Sequence, residues 1–290
     1  MASRVKPITR IVASVLIFGT LAFLWGQASY KQRLPNEIKG IVVPHHLLVE
    51  KYIDDLYKLT AEKDPTINRI ILLSPNHFGY GFSYLQSTNQ AFTPENSPKL
   101  DKNLLIALSK KTSLKIDTAY FEKEHGVMNE LPYINKYFPY AKVVPIRIKP
   151  STPISQLEAL IKEISTMDLS HTLVIASIDF THYESEETAL KNDNQILDWL
   201  KNWATKNPKA DFQEIKKLAV SISKTVQDSV AMDSPESFYI LLKLMEKESA
   251  NTFSLIKRTS SASLLNIKDP LQNTSHIFGT FSIDINQSKE

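Results

Sequence analysis

The chain of 290 residues contains no cysteine and only 7 glycines. The absence of cysteine excludes disulfides, thiolate nucleophiles, and zinc or iron–sulfur sites with cysteine ligands. Any bound metal ion must therefore take its ligands from histidine, aspartate, glutamate or water. The sequence also lacks the Walker, dinucleotide-binding and nucleophile-elbow patterns, which excludes the enzyme classes that depend on them.

Charge of either sign is evenly spread along the chain. Lysine plus arginine total 34 against 31 aspartate plus glutamate, and these charges do not collect into runs. This distribution lacks the basic patch expected of a nucleic-acid binder, so no nucleic-acid partner is predicted. Hydrophobic residues at 42% and charged residues at 22% are typical of a globular protein with a large core.

The N-terminal segment is apolar. Residues 11–26 read IVASVLIFGTLAFLWG without a charge and follow Arg4, Lys6 and Arg10. This pattern predicts a single-pass membrane anchor, with a cleaved signal peptide as the main alternative and a buried helix as the third. Basic residues before the span predict a cytoplasmic N-terminus, so the domain would be extracytoplasmic, or secreted if the segment is cleaved. We therefore divide the chain into residues 1–34, anchor or signal and linker, and residues 35–290, one domain.

Strand-like and helix-like segments alternate after the linker. The β-branched runs IKGIVV, INRIILLSP, AKVVPIRI and HTLVIASI are interspersed with helical patterns at residues 47–61, 154–164 and 184–203. Such alternation predicts an α/β fold with a mostly parallel central sheet and helices on both faces. Residues 208–248 are predicted to be helical with a break at 232–235, and two final strand-like runs extend the sheet.

Histidines cluster at predicted strand ends. His45 and His46 end the first strand, His77 follows the second, and His182 follows the run LVIASI. Ligands and catalytic groups collect beyond the carboxyl ends of parallel strands, so these imidazoles are predicted to converge around one metal ion. The other three histidines are His125, which follows Glu124; His171, predicted to be solvated at the opposite edge; and His276, to which no role is assigned.

Two carboxylates accompany these histidines. Asp179 stands three residues before His182, and Glu124 directly precedes His125. A metal-bound imidazole usually passes its other N–H to a carboxylate or carbonyl, which fixes its orientation. Asp179 and Glu124 are therefore candidates for that role, and capping of the following helix is the alternative for each.

Four motifs carry a resemblance to a known family. In this order and at these intervals, VVPHH, SPNHFG, EHGVMNELPYINKYFPYAKVVPIRI and ASIDFTHY resemble the Memo family, also called AmmeMemoRadiSam system protein B. That family is related to the extradiol (class III, LigB-type) non-haem iron dioxygenases. The match runs from about Gly40 to Ile283. It implies a three-layer Memo/LigB-like fold and a functional link to radical-SAM and AMMECR1-like proteins.

The resemblance also implies a metal site. Two histidines and one carboxylate bind iron(II) in the related dioxygenases, and these fall on His45, His77 and Asp233. Asp233 stands where Memo proteins often have cysteine, and capping of the next helix is the alternative role for it. Iron(II) is the expected ion; copper, zinc and manganese are the alternatives.

Further roles follow from the same resemblance. His182 matches the general acid/base of the dioxygenases, Asp179 would orient it, and His125 would line the same pocket. His46 and Leu47 stand where the family has small residues, so the entrance is bulkier and His46 is a competing ligand.

Three functions fit this site. The first is a metal-dependent dioxygenase or oxidase acting on a small molecule. The second is a non-catalytic module that binds a metal or a peptide in the same crevice. The third is a zinc or manganese hydrolase, because histidines and carboxylates serve those metals too.

Overall fold

The computed structural model describes residues 37–92, 97–205 and 209–283. The predicted anchor or signal segment and the proposed boundary at residues 34 and 35 lie outside these ranges and stay predictions. Within the described ranges, no helix is both long enough and apolar enough to cross a bilayer.

Strands and helices alternate through most of the described chain. The strands are β1 Ile38–Val43, β2 Arg69–Pro75, β3 Leu85–Ser87, β4 Lys99–Leu100, β5 Lys115–Ile116, β6 Lys142–Ile148, β7 Thr172–Ser177, β8 Phe180–His182, β9 Val230–Met232, β10 Thr252–Ser260 and β11 Ser275–Ser282. The helices are α1 Glu50–Lys63, α2 Lys102–Lys111, α3 His125–Met128, α4 Leu131–Tyr137, α5 Ile154–Ile164, α6 Glu186–Thr205, α7 Phe212–Leu218, α8 Pro235–Lys247 and α9 Ser261–Leu265. Short 3-10 turns cover Leu47–Val49, Phe121–Lys123 and Pro270–Gln272.

The central sheet is mixed and mostly parallel. Within the described residues it has 9 strands in the order β10-β11-β1-β7-β2-β6-β3-β5, with β4 also paired to β6. The four central strands β1, β7, β2 and β6 run parallel, whereas β11 is antiparallel to both β1 and β10. The predicted sheet is confirmed, including its extension by the two final strands.

Each face of the sheet carries its own hydrophobic core. Alternate residues of the central strands point to opposite faces, as the period-2 geometry of a strand requires. Ile70 and Leu72 pack with α1 and α4 on one face, and Ile71 and Leu73 pack with α5 and α8 on the other. This arrangement confirms the three-layer architecture.

The prediction of helix across residues 208–248 is wrong in its middle. After α7 the chain leaves the helix and forms β9, which pairs with β8 before α8 begins. The buried carboxylate of Glu184 accepts hydrogen bonds from Ser221 Oγ (2.9 Å), Thr225 N (3.1 Å) and Thr225 Oγ1 (2.6 Å). Serine and threonine have weak helix propensity. The hydrogen bonds to Glu184 therefore stabilise this segment in a non-helical conformation.

Candidate metal centre

The candidate site lies where the central strands end. Val43 at the end of β1 pairs with Ser177 at the end of β7, and Leu73 near the end of β2 pairs with Ala176. This register brings the residues after all three strands to the same edge of the sheet. His45, His77 and Asp179 lie in the segments that come directly after β1, β2 and β7.

Three imidazoles meet at this edge. His45, His77 and His125 each offer a nitrogen, and these nitrogens all lie within 4.8 Å of one another. The ring of His45 is edge-on to His77 at 4.9 Å and to His125 at 5.1 Å, while His77 and His125 stack at 3.8 Å. His45 is buried, and the other two are partly exposed.

Asp233 lies beside this cluster, although it is far from the three histidines in sequence. Its Oδ2 lies 3.4 Å from His45 Nε2 and 3.7 Å from His77 Nε2. Ser234, not Asp233, caps α8, because Ser234 Oγ accepts the hydrogen bond from Ser237 N at 3.3 Å. The carboxylate of Asp233 is thereby left to face the histidines.

Asp179 also faces His45. Its Oδ2 lies 3.5 Å from His45 Nε2, and burial, followed by the negative charge of Asp233, raises its pKa well above the usual value. Asp179 Oδ1 and His182 Nδ1 are both buried, and neither has a hydrogen-bond partner among the described residues. The structure therefore directs the Asp179 carboxylate toward His45, with no bond to His182 Nδ1.

Glu124 orients His77 and also caps α3. Its Oε1 lies 2.5 Å from His77 Nδ1 and accepts from Gly126 N at 3.2 Å, while Oε2 accepts from His77 N at 3.0 Å. Burial lowers the pKa of His77, but the nearby carboxylates of Asp233 and Glu124 outweigh burial and raise it to about 10. The two carboxylates thus stabilise a positive charge at this position.

Buried or partly buried polar side chains hold His45 in place. Its Nδ1 lies 3.2 Å from Ser177 Oγ, and its backbone carbonyl accepts from Asn129 Nδ2 at 2.8 Å. Glu130, nearby, accepts from Tyr57 OH at 2.7 Å, and burial raises the pKa of Glu130 to about 8. Burial, with the charges of neighbouring imidazoles, holds the pKa of His45 well below the usual value, which favours the neutral form that ligates metals.

Two further histidines adjoin the cluster. His182 is partly buried at the end of β8, and its charge acts on the pKa of His45. His46 Nδ1 lies 3.0 Å from Nε2 of His276 on β11, a residue to which the sequence assigned no role. His171 lies before β7, at the opposite end of the strand, with Nδ1 2.9 Å from Thr66 Oγ1.

The residues present fit a divalent metal ion. Bonds of about 2.0–2.2 Å at angles between square and tetrahedral separate neighbouring ligand atoms by about 2.8–3.6 Å. The separation of 3.4 Å from Asp233 Oδ2 to His45 Nε2 lies within this range, and that of 3.7 Å to His77 Nε2 lies just above it. Asp233 Oδ1 is buried without a hydrogen-bond partner among the described residues. Two ligand sets are available. One consists of His45, His77 and Asp233, and the other of His45, His77 and His125.

Comparison with protein families covers most of the chain. A family model described as "Memo-like protein" matches residues 25–270. Among curated proteins, a MEMO1 family protein of Methanopyrus kandleri is 30% identical over 173 residues, covering 57% of this chain and 60% of the relative. A MEMO1 family protein of Saccharolobus solfataricus is 30% identical over 149 residues, covering 49% and 51%. The chain thus spans about half to three fifths of the length of these relatives.

A solved structure shares the fold. An uncharacterized protein from Escherichia coli K12 superposes with a TM-score of 0.53 at 11% sequence identity, covering 83% of this chain and 99% of that one. At this identity the likeness concerns the arrangement of strands and helices alone.

Proposed function

The chain belongs to the Memo-like family, and from this premise we propose that it is a metalloprotein with one divalent ion held by His45, His77 and Asp233. We propose iron(II) as the ion, with oxygen-dependent redox chemistry on a small molecule as the function. Copper, zinc and manganese are the alternative ions.

One observation carries the proposal. Asp233 Oδ2 lies 3.4 Å from His45 Nε2 and 3.7 Å from His77 Nε2, so one carboxylate oxygen lies beside an imidazole nitrogen of each histidine. Two histidines and one carboxylate on one face are typical of non-haem iron(II) sites with open coordination positions. His125 lies in the same cluster and is available as a fourth ligand or as a donor to a bound molecule.

Among the surrounding residues, some would orient the metal ligands and one would transfer protons. A bound ion would supply a Lewis acid and a redox centre. Glu124 fixes the His77 ring through Nδ1, as carboxylates hydrogen-bonded to metal-binding histidines do. Asp179 adds a second carboxylate beside His45. His182 is the proposed general acid/base, since an imidazole ordinarily titrates near neutral pH; burial lowers the pKa of His182 from that value.

Metal content tests the ligand set. Full-length chain purified anaerobically and reconstituted with iron(II) is expected to hold about one ion per chain by elemental analysis. His77→Ala and Asp233→Asn are expected to lose most of it. His171→Ala and Asp198→Asn, an aspartate 70% exposed on α6, serve as matched controls. Equal metal content in all five proteins would refute the proposed ligands.

Oxygen uptake tests the chemistry separately. Iron-loaded protein should consume oxygen in an electrode assay when supplied with a substrate from a small-molecule panel, and His182→Ala should lower the rate while retaining iron. Retained iron with no uptake across the panel would favour a binding module. Hydrolysis supported by zinc or manganese would favour a hydrolase.

We also propose that residues 11–26 tether the domain to a membrane, with the domain on the extracytoplasmic side. Support comes from the charge-free run and the basic residues before it. Fractionation should recover the chain with membranes, and external protease should digest the domain in spheroplasts. Recovery of the domain in the cytosolic fraction would contradict this proposal.

A further inference from the structure

His46 and His276 form a hydrogen-bonded pair beside the metal centre. His46 Nδ1 lies 3.0 Å from His276 Nε2, and the two rings are inclined by only 23° with centroids 5.2 Å apart. The centroid separation exceeds the nitrogen separation by about the width of one imidazole ring. The two nitrogens therefore lie nearly on the line between the rings, so the contact is an edge-to-edge N–H···N hydrogen bond.

The surroundings of His276 decide which ring donates. His276 is fully buried, and burial lowers its pKa to about 3, so it is neutral and carries one N–H. Its Nδ1 is buried without a hydrogen-bond partner among the described residues. A buried N–H without a partner is rarer in proteins than a buried acceptor without one. The proton of His276 therefore belongs on Nε2, and His46 Nδ1 must accept it.

This assignment fixes the other nitrogen of His46. With Nδ1 accepting, the proton of the His46 ring lies on Nε2, on the side away from His276. Nε2 has no hydrogen-bond partner in the described part of the chain and is not among the buried atoms, and His46 is partly exposed. His46 is also close enough to His125 and His182 to lower the pKa of each by its charge. The sequence neighbour of His45 thus carries a free N–H donor within electrostatic reach of His125 and His182.

We propose that His276 fixes the tautomer of His46 so that the Nε2–H of His46 binds an anionic oxygen of the molecule at the metal centre, such as a carboxylate. This inference rests on the proposed metal site and names the class of ligand that it takes. A divalent ion attracts an oxyanion, and an N–H donor at a fixed position orients it. His276 is the positioning residue, because it acts only through His46.

Nuclear magnetic resonance tests the tautomers without any metal. Long-range proton–nitrogen spectra of the full-length chain with nitrogen-15 histidine distinguish protonated from bare ring nitrogens, and His46→Ala and His276→Phe assign the signals. We expect protonated Nε2 and bare Nδ1 in both residues. A protonated Nδ1 on His46 would overturn the proposal.

Formate binding tests the function of the donor. Cobalt(II) replaces iron as a coloured probe, and formate is titrated into each loaded protein. His46→Ala should weaken formate binding about ten- to hundredfold, the range for a hydrogen bond to a charged group. His276→Phe should weaken it about two- to tenfold, because the His46 ring is then free to reorient. His276→Gln, which can still donate to His46 Nδ1, should restore affinity.

The controls separate this inference from the metal proposal. Failure of the wild-type chain to bind cobalt would refute the metal site itself. Full cobalt content in all variants, with formate affinity equal to that of wild type and of His171→Ala, would refute only the role of His46. His276→Phe and His276→Gln are expected to have equal melting temperatures. A difference in formate affinity between these two variants then reflects the hydrogen-bond donor and not folding.

Discussion

Asp179 and Asp233 bind each other's backbone. Asp233 Oδ2 accepts a hydrogen bond from Asp179 N at 3.1 Å, and Asp233 N donates to Asp179 O at 3.1 Å. The pairing of β8 with β9 brings the two residues together. The oxygen that faces His45 and His77 is therefore held by a neighbouring strand end before any metal binds.

Asp233→Asn separates the charge of this residue from its structural role. An asparagine oxygen can still accept from Asp179 N, so the free energy of unfolding should change little. Loss of the anionic ligand should lower metal affinity by more than about hundredfold, beyond the range for residues that only orient the ligands. Competition with a metal-binding dye measures the affinity. An unchanged dissociation constant would show that His125, not Asp233, completes the ligand set.

Glu124→Gln tests the residue that orients His77. The carboxylate bonds both Nδ1 and the backbone N–H of His77, and a neutral amide cannot reproduce this. Metal affinity is expected to fall about 10–100-fold. Glu122→Gln, two residues away and exposed, is the matched control and should bind metal like wild type. Equal affinity in both variants would argue against orientation by Glu124.

Gly126→Ala tests packing behind the site. An added Cβ would lie 2.3 Å from Ser74 Oγ and 3.4 Å from His45 Nδ1. Such overpacking is expected to lower the free energy of unfolding by about 1–3 kcal/mol and to weaken metal binding by displacing His45. Urea denaturation measures the first effect and dye competition the second. Adding Ser74→Ala removes the closest atom and should recover part of the lost stability and part of the lost metal affinity. No recovery would mean that the substitution acts through the backbone and not through contact with Ser74.

Glu130 should make stability depend on pH. Its pKa is raised by burial from 4.5 to about 8, so the folded chain keeps a proton that the unfolded chain releases between these values. The unfolded state then binds fewer protons, and the free energy of unfolding falls as pH rises from about 4.5 to about 8. Glu130→Gln should lack this decrease in urea denaturation across that pH range.

Tyr57→Phe provides the contrast for Glu130. The Tyr57 hydroxyl lowers the pKa of Glu130 by hydrogen bonding, so its removal should move the upper end of the decrease to higher pH. A wild-type profile that matches Glu130→Gln throughout would show that Glu130 is ionised in the folded protein.

Local patterns were enough to predict the sheet and part of the site. β-Branched runs predict the central strands, and parallel strands bring their carboxyl ends to one edge, so the approach of His45 to His77 follows from topology alone. The helix at residues 154–164 agrees with Ile154–Ile164 because its apolar spacing is regular.

Contacts between distant segments could not be predicted in the same way. His276 reaches His46 because β11 runs antiparallel beside β1, with Val42 paired to Gly279, and the sequence does not specify that neighbour. Strand β9 exists because β8 and Glu184 hold the chain after α7, and the sequence does not specify these contacts. The direction of the Asp179 carboxylate depends on the break between β7 and β8, which the continuous run LVIASIDFTH conceals.

The position of β11 between β10 and β1 sets an order of assembly during synthesis. A nascent chain emerges from its N-terminus, so His45 and His77 leave the ribosome long before Asp233, and the partner of His46 follows later still. Until then β1 has an unpaired edge and the ligand set is incomplete. A nascent chain that has not yet reached Asp233 would therefore offer the two histidines without the proposed carboxylate ligand.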